Sequence, residues 1–143
     1  MQNLLPDQNL LPDKADLKIL VVEDNLLIAE TIGDLVESCG CAVVGPIGDL
    51  EGGLALLEEA RPDGALLDIN LAGTLSFPLA TALEARGVPF VFMTGYDEGT
   101  IFPREFSAVR RITKPFDHKE VAEVLEVWGR MAGAQPPTAP RII

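Results

Sequence analysis

The chain has 143 residues, 48% of them hydrophobic and 23% charged, a length that suits one domain and a balance that excludes a disordered chain. Its 22 acidic residues against 11 basic ones leave a formal net charge of −11, which repels phosphate backbones and anionic lipid, so neither nucleic acid nor membrane is an expected partner. No apolar run is long enough to cross a bilayer and no basic leader opens the chain, so a soluble, cytoplasmic protein is expected.

Residues 2–7 and 8–13 repeat the hexapeptide Gln-Asn-Leu-Leu-Pro-Asp. With Pro6 and Pro12 interrupting any regular element, residues 1–16 are expected to be a flexible N-terminal extension. Between residues 17 and 131, short apolar runs alternate with segments of helical periodicity, the pattern of repeated βα units around a parallel sheet. The first strand is expected over Leu17–Val22 and the first helix on Ile28, Ile32, Leu35 and Val36. The second strand follows at Ala42–Ile47, and the second helix on Leu50, Leu54 and Leu57. Cys39 and Cys41 flank Gly40 without a metal-ligand or redox spacing and are expected to be reduced thiols. A third strand is expected at Gly64–Leu67, then a helix on Leu79, Ala80 and Leu83, and a fourth strand at Phe90–Met93.

The fourth helix is where the pattern fails, because Asp97–Phe106 contains Gly99 and Pro103 and shows little periodicity; a weak or irregular helix is expected there. A fifth strand is expected over Ala108–Ile112. In the last helix, Asp117 and Glu120 form a capping-box-like start, and Val121, Val124, Leu125 and Trp128 make one apolar stripe, so Trp128 is expected in the core. The single histidine, His118, is expected to be a surface residue of that helix's first turn. Residues 132–143, with Pro136, Pro137 and Pro140, are expected to be a flexible C-terminal tail, with no output domain after them. The sum is an α/β fold: a doubly wound five-stranded parallel sheet of order 2-1-3-4-5, flavodoxin-like, with its ligand crevice beyond the carboxyl ends of the central strands.

The reactive side chains all follow strand ends and so converge on that crevice. Glu23 and Asp24 follow the first strand, Asp68 the third, Thr94 the fourth and Lys114 the fifth. Phosphoryl transfer needs a nucleophile, a cation to offset charge on the equatorial oxygens, and fixed donors for those oxygens. Asp68 is the candidate nucleophile. Glu23, Asp24 and Asp68 offer carboxylate oxygens suited to Mg²⁺, with the Asn70 backbone carbonyl as a further metal ligand. Thr94 offers a hydroxyl and Lys114 a compact positive charge, and a cis Lys114–Pro115 bond would aim that ammonium into the crevice. Taken singly, each has a plainer reading: Glu23 and Asp24 as helix caps, Asp68 and Thr94 as turn residues, Lys114 as a solvated loop lysine. The complete set in order is what points to chemistry.

The runs Val-Val-Glu-Asp-Asn at 21–25, Leu-Leu-Asp-Ile-Asn at 66–70, Met-Thr-Gly at 93–95 and Thr-Lys-Pro-Phe at 113–116 resemble those of response regulator receiver domains. The resemblance implies a CheY-like phosphorylation switch over 17–131. Asp68 would accept a phosphoryl group from a histidine kinase's phosphohistidine, with Glu23 and Asp24 at the Mg²⁺ site and Thr94 and Lys114 on the phosphoryl oxygens. It implies a switch in a two-component phosphorelay, promoting its own Mg²⁺-dependent phosphorylation and dephosphorylation without being an enzyme. Signalling would pass through contacts with a downstream protein whose identity stays open, or by draining phosphate.

Two positions depart from the family pattern. Ala72 stands where most receivers have Pro, so the loop after the third strand is expected to take another path. Arg111 stands where a rotating aromatic is usual. With Phe92-Met93-Thr94-Gly95-Tyr96, these departures resemble the FAT GUY subgroup, which commonly works with HWE or HisKA_2 kinases. Switching is then expected in the segment from Tyr96 to Phe106, with Arg111 staying at the surface. A haloacid-dehalogenase-type phosphohydrolase also pairs a strand-end Asp with Mg²⁺ and Lys, but its nucleophile follows the first strand in an Asp-x-Asp element, absent here. A pseudo-receiver acting as a pure binding module is disfavoured by retention of all five acidic, hydroxyl and amine positions.

Overall fold

The computed structural model describes residues 17–95 and 102–134. Its elements are β1 (Lys18–Val22), α1 (Leu26–Ser38), β2 (Ala42–Ile47), α2 (Leu50–Glu59), β3 (Gly64–Asp68), β4 (Asn70–Leu71), β5 (Thr74–Leu75), α3 (Phe77–Ala85), β6 (Phe90–Thr94), a 3₁₀ turn (Arg104–Phe106), β7 (Arg111–Thr113) and α4 (His118–Ala134). The main sheet is parallel with order β2-β1-β3-β6-β7. Setting aside the small antiparallel β4–β5 ladder, this is the 2-1-3-4-5 order that the alternating pattern predicts.

Strands β1, β3 and β6 carry apolar residues on both pleat faces because helices cover both sides. Ile19, Val21, Leu66, Val91 and Met93 face the cluster completed by Ile32 and Val36 of α1 and by Val121, Val124, Leu125 and Trp128 of α4. Leu20, Val22, Ala65, Leu67 and Phe92 face the opposite cluster with Leu57 of α2 and Leu79, Ala80 and Leu83 of α3. Trp128 is thus a core residue, packed over the start of β3.

The starts of α1, α2 and α4 are set by side-chain caps. Asn25 Oδ1 accepts from the Ile28 amide at 3.1 Å, Asp49 Oδ1 from the Gly52 amide at 2.7 Å, and Asp117 Oδ1 from the Lys119 amide at 2.9 Å, each satisfying a donor the helix leaves open. His118 is exposed, with Nε2 3.4 Å from the Ser38 hydroxyl. Cys39 and Cys41 are free thiols.

Two boundaries differ from the sequence expectation by more than one residue. The fifth main strand begins at Arg111, not Ala108. Phe106 is drawn into the core, and the Val109 amide turns back to the Phe106 carbonyl at 3.1 Å, which keeps Ala108 and Val109 out of the ladder. The last helix runs to Ala134, past the 131 boundary suggested by the proline-rich end. As expected of a weak or irregular fourth helix, the described part of that segment is a single 3₁₀ turn, beside rings in which Phe92 lies 5.3 Å from Phe102, 5.6 Å from Phe77 and 5.8 Å from Phe106. The extension 1–16 and the tail beyond 134 lie outside the described residues.

Gly64 is required by close approach, since a Cβ there would overlap Cε3 and Cζ3 of the Trp128 indole. Neither the buried ring nor β3 has room to give. Gly64→Ala is expected to lower unfolding free energy by about 1–3 kcal/mol, the usual range for overpacking, measured by urea denaturation followed through Trp128 fluorescence.

Candidate functional site

At the carboxyl ends of β1, β3, β6 and β7 the chain places Glu23, Asp24, Asp68, Thr94 and Lys114 together. Parallel register does this: β1 and β3 run in step from Ile19–Gly64 to Val22–Leu67, and Thr94 is level with Thr113. The Lys114 amide donates to the Thr94 carbonyl at 2.8 Å, tying the ends of β6 and β7. The Lys114–Pro115 bond is cis.

Asn25, not Glu23 or Asp24, caps α1, so both acidic side chains are free for the crevice. Glu23 is buried; its Oε2 accepts from the Asn25 amide at 3.1 Å and its Oε1 from Lys114 Nζ at 2.9 Å. Asp68 is buried too, with Oδ1 3.3 Å from Lys114 Nζ. Carboxylate oxygens of Glu23, Asp24 and Asp68 lie within 4.8 Å of one another. Three oxygen donors at that spacing fit a hard divalent cation, which prefers carboxylates and keeps waters in its remaining positions. Asn70, at the start of the β4–β5 ladder, uses its side-chain Oδ1 to accept from the Gly73 amide at 2.6 Å.

Burial, and then the charge of Glu23, raise the Asp68 carboxyl to about 7 even though Lys114 pulls the other way. Burial acts to lower Lys114, but its hydrogen bond to Glu23 and the charges of Asp68 and Glu23 outweigh that, and the net direction is upward. The ammonium therefore stays charged while negative charge on Asp68 is held in check.

The response regulator receiver domain family matches residues 19–126. The chain belongs to that family. This receiver is 31% identical over 122 residues to the sensory transduction protein LytT of Bacillus cereus, covering 83% of this chain and 50% of that protein. It is 32% identical over 118 residues to the positive alginate biosynthesis regulatory protein of Pseudomonas aeruginosa, covering 80% of this chain and 48% of that one. The chain thus spans about half the length of the curated relatives it matches. Among solved structures, SdrG from Sphingomonas melonis Fr1 superposes with a TM-score of 0.70 at 38% identity, over 78% of this chain and 95% of SdrG. PhyR from Brucella abortus gives 0.63 at 28%, over 80% of this chain and 48% of PhyR.

Two features of this receiver's site are not evident from its motifs. One is the hairpin between Asp68 and α3, where Leu71 pairs with Thr74 across a two-residue turn. Ala72 and Gly73 have φ of 52° and 97°. Proline is held near −65° and cannot take that conformation, which explains why the family's usual Pro is replaced at 72. A lone Gly after Ala is a weak hairpin signal, since Asn-Gly or Asp-Gly is the common pair. The other is Ser76, fully buried, whose hydroxyl donates to the Asp68 carbonyl at 2.6 Å. Of the two expected switch residues, Tyr96 lies outside the described residues. Arg111 is exposed, its guanidinium carbon 3.6 Å from the centre of the Phe102 ring.

The raised Asp68 pKa has a consequence for stability. An Asp with an ordinary pKa of 3.8 unfolded and about 7 folded binds its proton more tightly in the native state. Stability from this group is therefore full below pH 4 and is lost as pH rises through 7. The metal-free domain is expected to lose on the order of 3 kcal/mol between pH 4 and 7 from this group. The Asp68→Asn variant should lack that slope. Urea unfolding across the pH range checks the slope, and the Asp68 side-chain ¹³C shift checks the midpoint.

Proposed function

We propose that this chain is a phosphorylation switch in which Asp68 accepts a phosphoryl group from a histidine kinase. The observation that carries the reading is the buried Asp68 carboxylate, with Lys114 Nζ at 3.3 Å and two further carboxylates within 4.8 Å. An Asp68 oxygen attacks the phosphorus of a phosphohistidine, the phosphorus–nitrogen bond breaks with its electron pair going to the imidazole, and an acyl phosphate forms. Lys114, released from Glu23 and Asp68, pairs with one phosphoryl oxygen, and the Thr94 hydroxyl donates to another. Glu23, Asp24, Asp68 and the Asn70 backbone carbonyl would hold Mg²⁺, which supplies charge neutralisation for the transferring group. The same residues orient the water that later hydrolyses the acyl phosphate.

A protein donor must seat its histidine beside Asp68, so its docking surface has to border the site. A groove of about 570 Å³ does so, lined by Leu27, Ile28, Leu35, Lys114, Pro115 and Phe116. Leu27 is 75% exposed there, and its chain neighbour Leu26 69%, an unusual display of aliphatic area beside an acidic crevice. The kinase docks on this groove in our reading, and the FAT GUY resemblance favours an HWE or HisKA_2 kinase. Output passes through the segment after Thr94, involving Tyr96 and Arg111, to a downstream protein, or the domain acts as a phosphate sink standing alone. Neither nucleic acid nor membrane is a partner, and no described helix is long and apolar enough to cross a bilayer. A cytoplasmic setting follows from the kinase as donor.

Two experiments test this reading. With acetyl phosphate and Mg²⁺, wild-type protein is expected to become phosphorylated while Asp68→Asn and Asp68→Ala do not, and Asp24→Ala is expected to bind Mg²⁺ at least about tenfold more weakly. Stable label on Asp68→Ala, read by phosphate-affinity gels and mass spectrometry, would move the acceptor elsewhere. In the second, Leu27→Glu should slow transfer from a cognate kinase by about tenfold or more, as loss of a central apolar contact does, and leave acetyl phosphate labelling unchanged. Equal slowing with both donors would place Leu27 outside the docking surface.

A further inference from the structure

We propose that Ser76 is a positioning residue for the phosphoacceptor and its metal site, clamping the backbone on which Asp68 and Asn70 are carried. This rests on the phosphoacceptor reading above and adds a residue to it.

The hairpin leading into Ser76 is open to solvent at Ala72, Gly73, Thr74 and Leu75, yet Ser76 itself has 0% exposure. Its hydroxyl donates to the Asp68 carbonyl at 2.6 Å and its amide to the Ile69 carbonyl at 2.8 Å. Two consecutive carbonyls just beyond the reactive side chain are therefore held from one residue. The Ser76 carbonyl in turn accepts from the Leu79 and Ala80 amides at 2.9 and 3.1 Å, which starts α3. The phosphoacceptor's backbone is thus anchored to a helix packed on the sheet rather than left to a loop.

A serine in front of a helix ordinarily turns its oxygen onto the helix's own open amides. Ser76 makes no such bond; its hydroxyl points back to Asp68 instead, and Pro78 in the first turn removes one amide that would have competed for it. The neighbours Leu67, Ile69 and Leu79 are fully buried, so water cannot readily take the hydroxyl's place, and in that dry setting the bond has directional force. Rotation of the Asp68–Ile69 peptide would re-aim the Asp68 carboxylate and displace the Asn70 carbonyl together. Ser76 prevents that rotation.

The test uses the full chain as Ser76→Ala and Ser76→Thr, with three readouts: Mg²⁺ affinity by NMR titration, the Asp68 carbonyl ¹³C shift without metal, and the acetyl phosphate labelling rate at saturating Mg²⁺. Folding is verified by the near-ultraviolet signal of Trp128. Ser76→Ala is expected to move the carbonyl shift and to lose about tenfold in Mg²⁺ affinity and in labelling rate, as supporting residues around metal sites do. Ser76→Thr, which restores the hydroxyl, should recover most of each. Should either fail to fold, Ser76→Cys keeps the volume with a weaker donor and should show a smaller loss of the same sign. A folded Ser76→Ala or Ser76→Cys with wild-type Mg²⁺ affinity and labelling would overturn the clamp, as would a folded Ser76→Thr no better than Ser76→Ala. A wild-type chain that neither binds Mg²⁺ nor takes label would instead overturn the phosphoacceptor reading itself.

Discussion

The rest of the site follows from the burial of two carboxylates, Glu23 and Asp68, beside a third, with one ammonium between them. Like charges this close in a poorly solvated crevice repel strongly. Lys114 offsets part of that repulsion, at 2.9 Å from Glu23 and 3.3 Å from Asp68, and Asp68 responds by holding its proton to about pH 7. Such an arrangement is poorly designed for stability and well designed for a ligand. Under the proposed function, a divalent cation would relieve the repulsion and a phosphoryl group would then give Lys114 a new partner. Among the described residues only Glu23, Asp68 and Ser76 are buried polar side chains. All three lie at the carboxyl edge of the sheet, after β1, after β3 and before α3, where the fold gives up packing for polar groups.

The fold makes this concentration tolerable by fixing each group independently. The Glu23 amide is held by the Ile47 carbonyl of β2 at 2.9 Å, and its carboxylate by the Asn25 amide. Asn25 relieves the acidic pair of capping duty. Lys114 is fixed at its amide by Thr94, and Asp68 at its carbonyl by Ser76. No group depends on a long loop for its position. The hairpin between Asp68 and Ser76 is closed by backbone pairing and by the Asn70 side chain.

The sheet order and the convergence of Glu23, Asp24, Asp68, Thr94 and Lys114 were legible in the sequence because both rest on strong local signals. Apolar runs ending in a polar residue, repeated with helical segments between, leave little choice of topology. Positions set by hydrogen bonds to backbone carry no such signal. Ser76 looks like an ordinary residue before a helix, and only the folded chain turns its hydroxyl toward Asp68. The start of β7 was misplaced for a related reason. Ala108 and Val109 have strand-like composition, but burial of Phe106 bends the chain first, a tertiary effect that outweighs propensity.

The replacement of the usual β7 aromatic by Arg111 has a structural counterpart. Arg111 is in register with Phe92 of β6, and its guanidinium lies over Phe102, whose ring in turn packs on Phe92 and Phe77. Phe102 thus belongs to an aromatic cluster that Arg111 closes at the surface. Burying Arg111 in place of a rotating ring would leave a desolvated guanidinium without a carboxylate, a cost of several kcal/mol. Lifting it from Phe102 costs only an exposed cation–π contact, roughly 0.5–1 kcal/mol. Under the proposed function, a new bond at the Thr94 hydroxyl is large enough to shift a balance of that size. Under that proposal, signalling after Thr94 with Arg111 as an outer latch would be energetically accessible where inward rotation of Arg111 would not be.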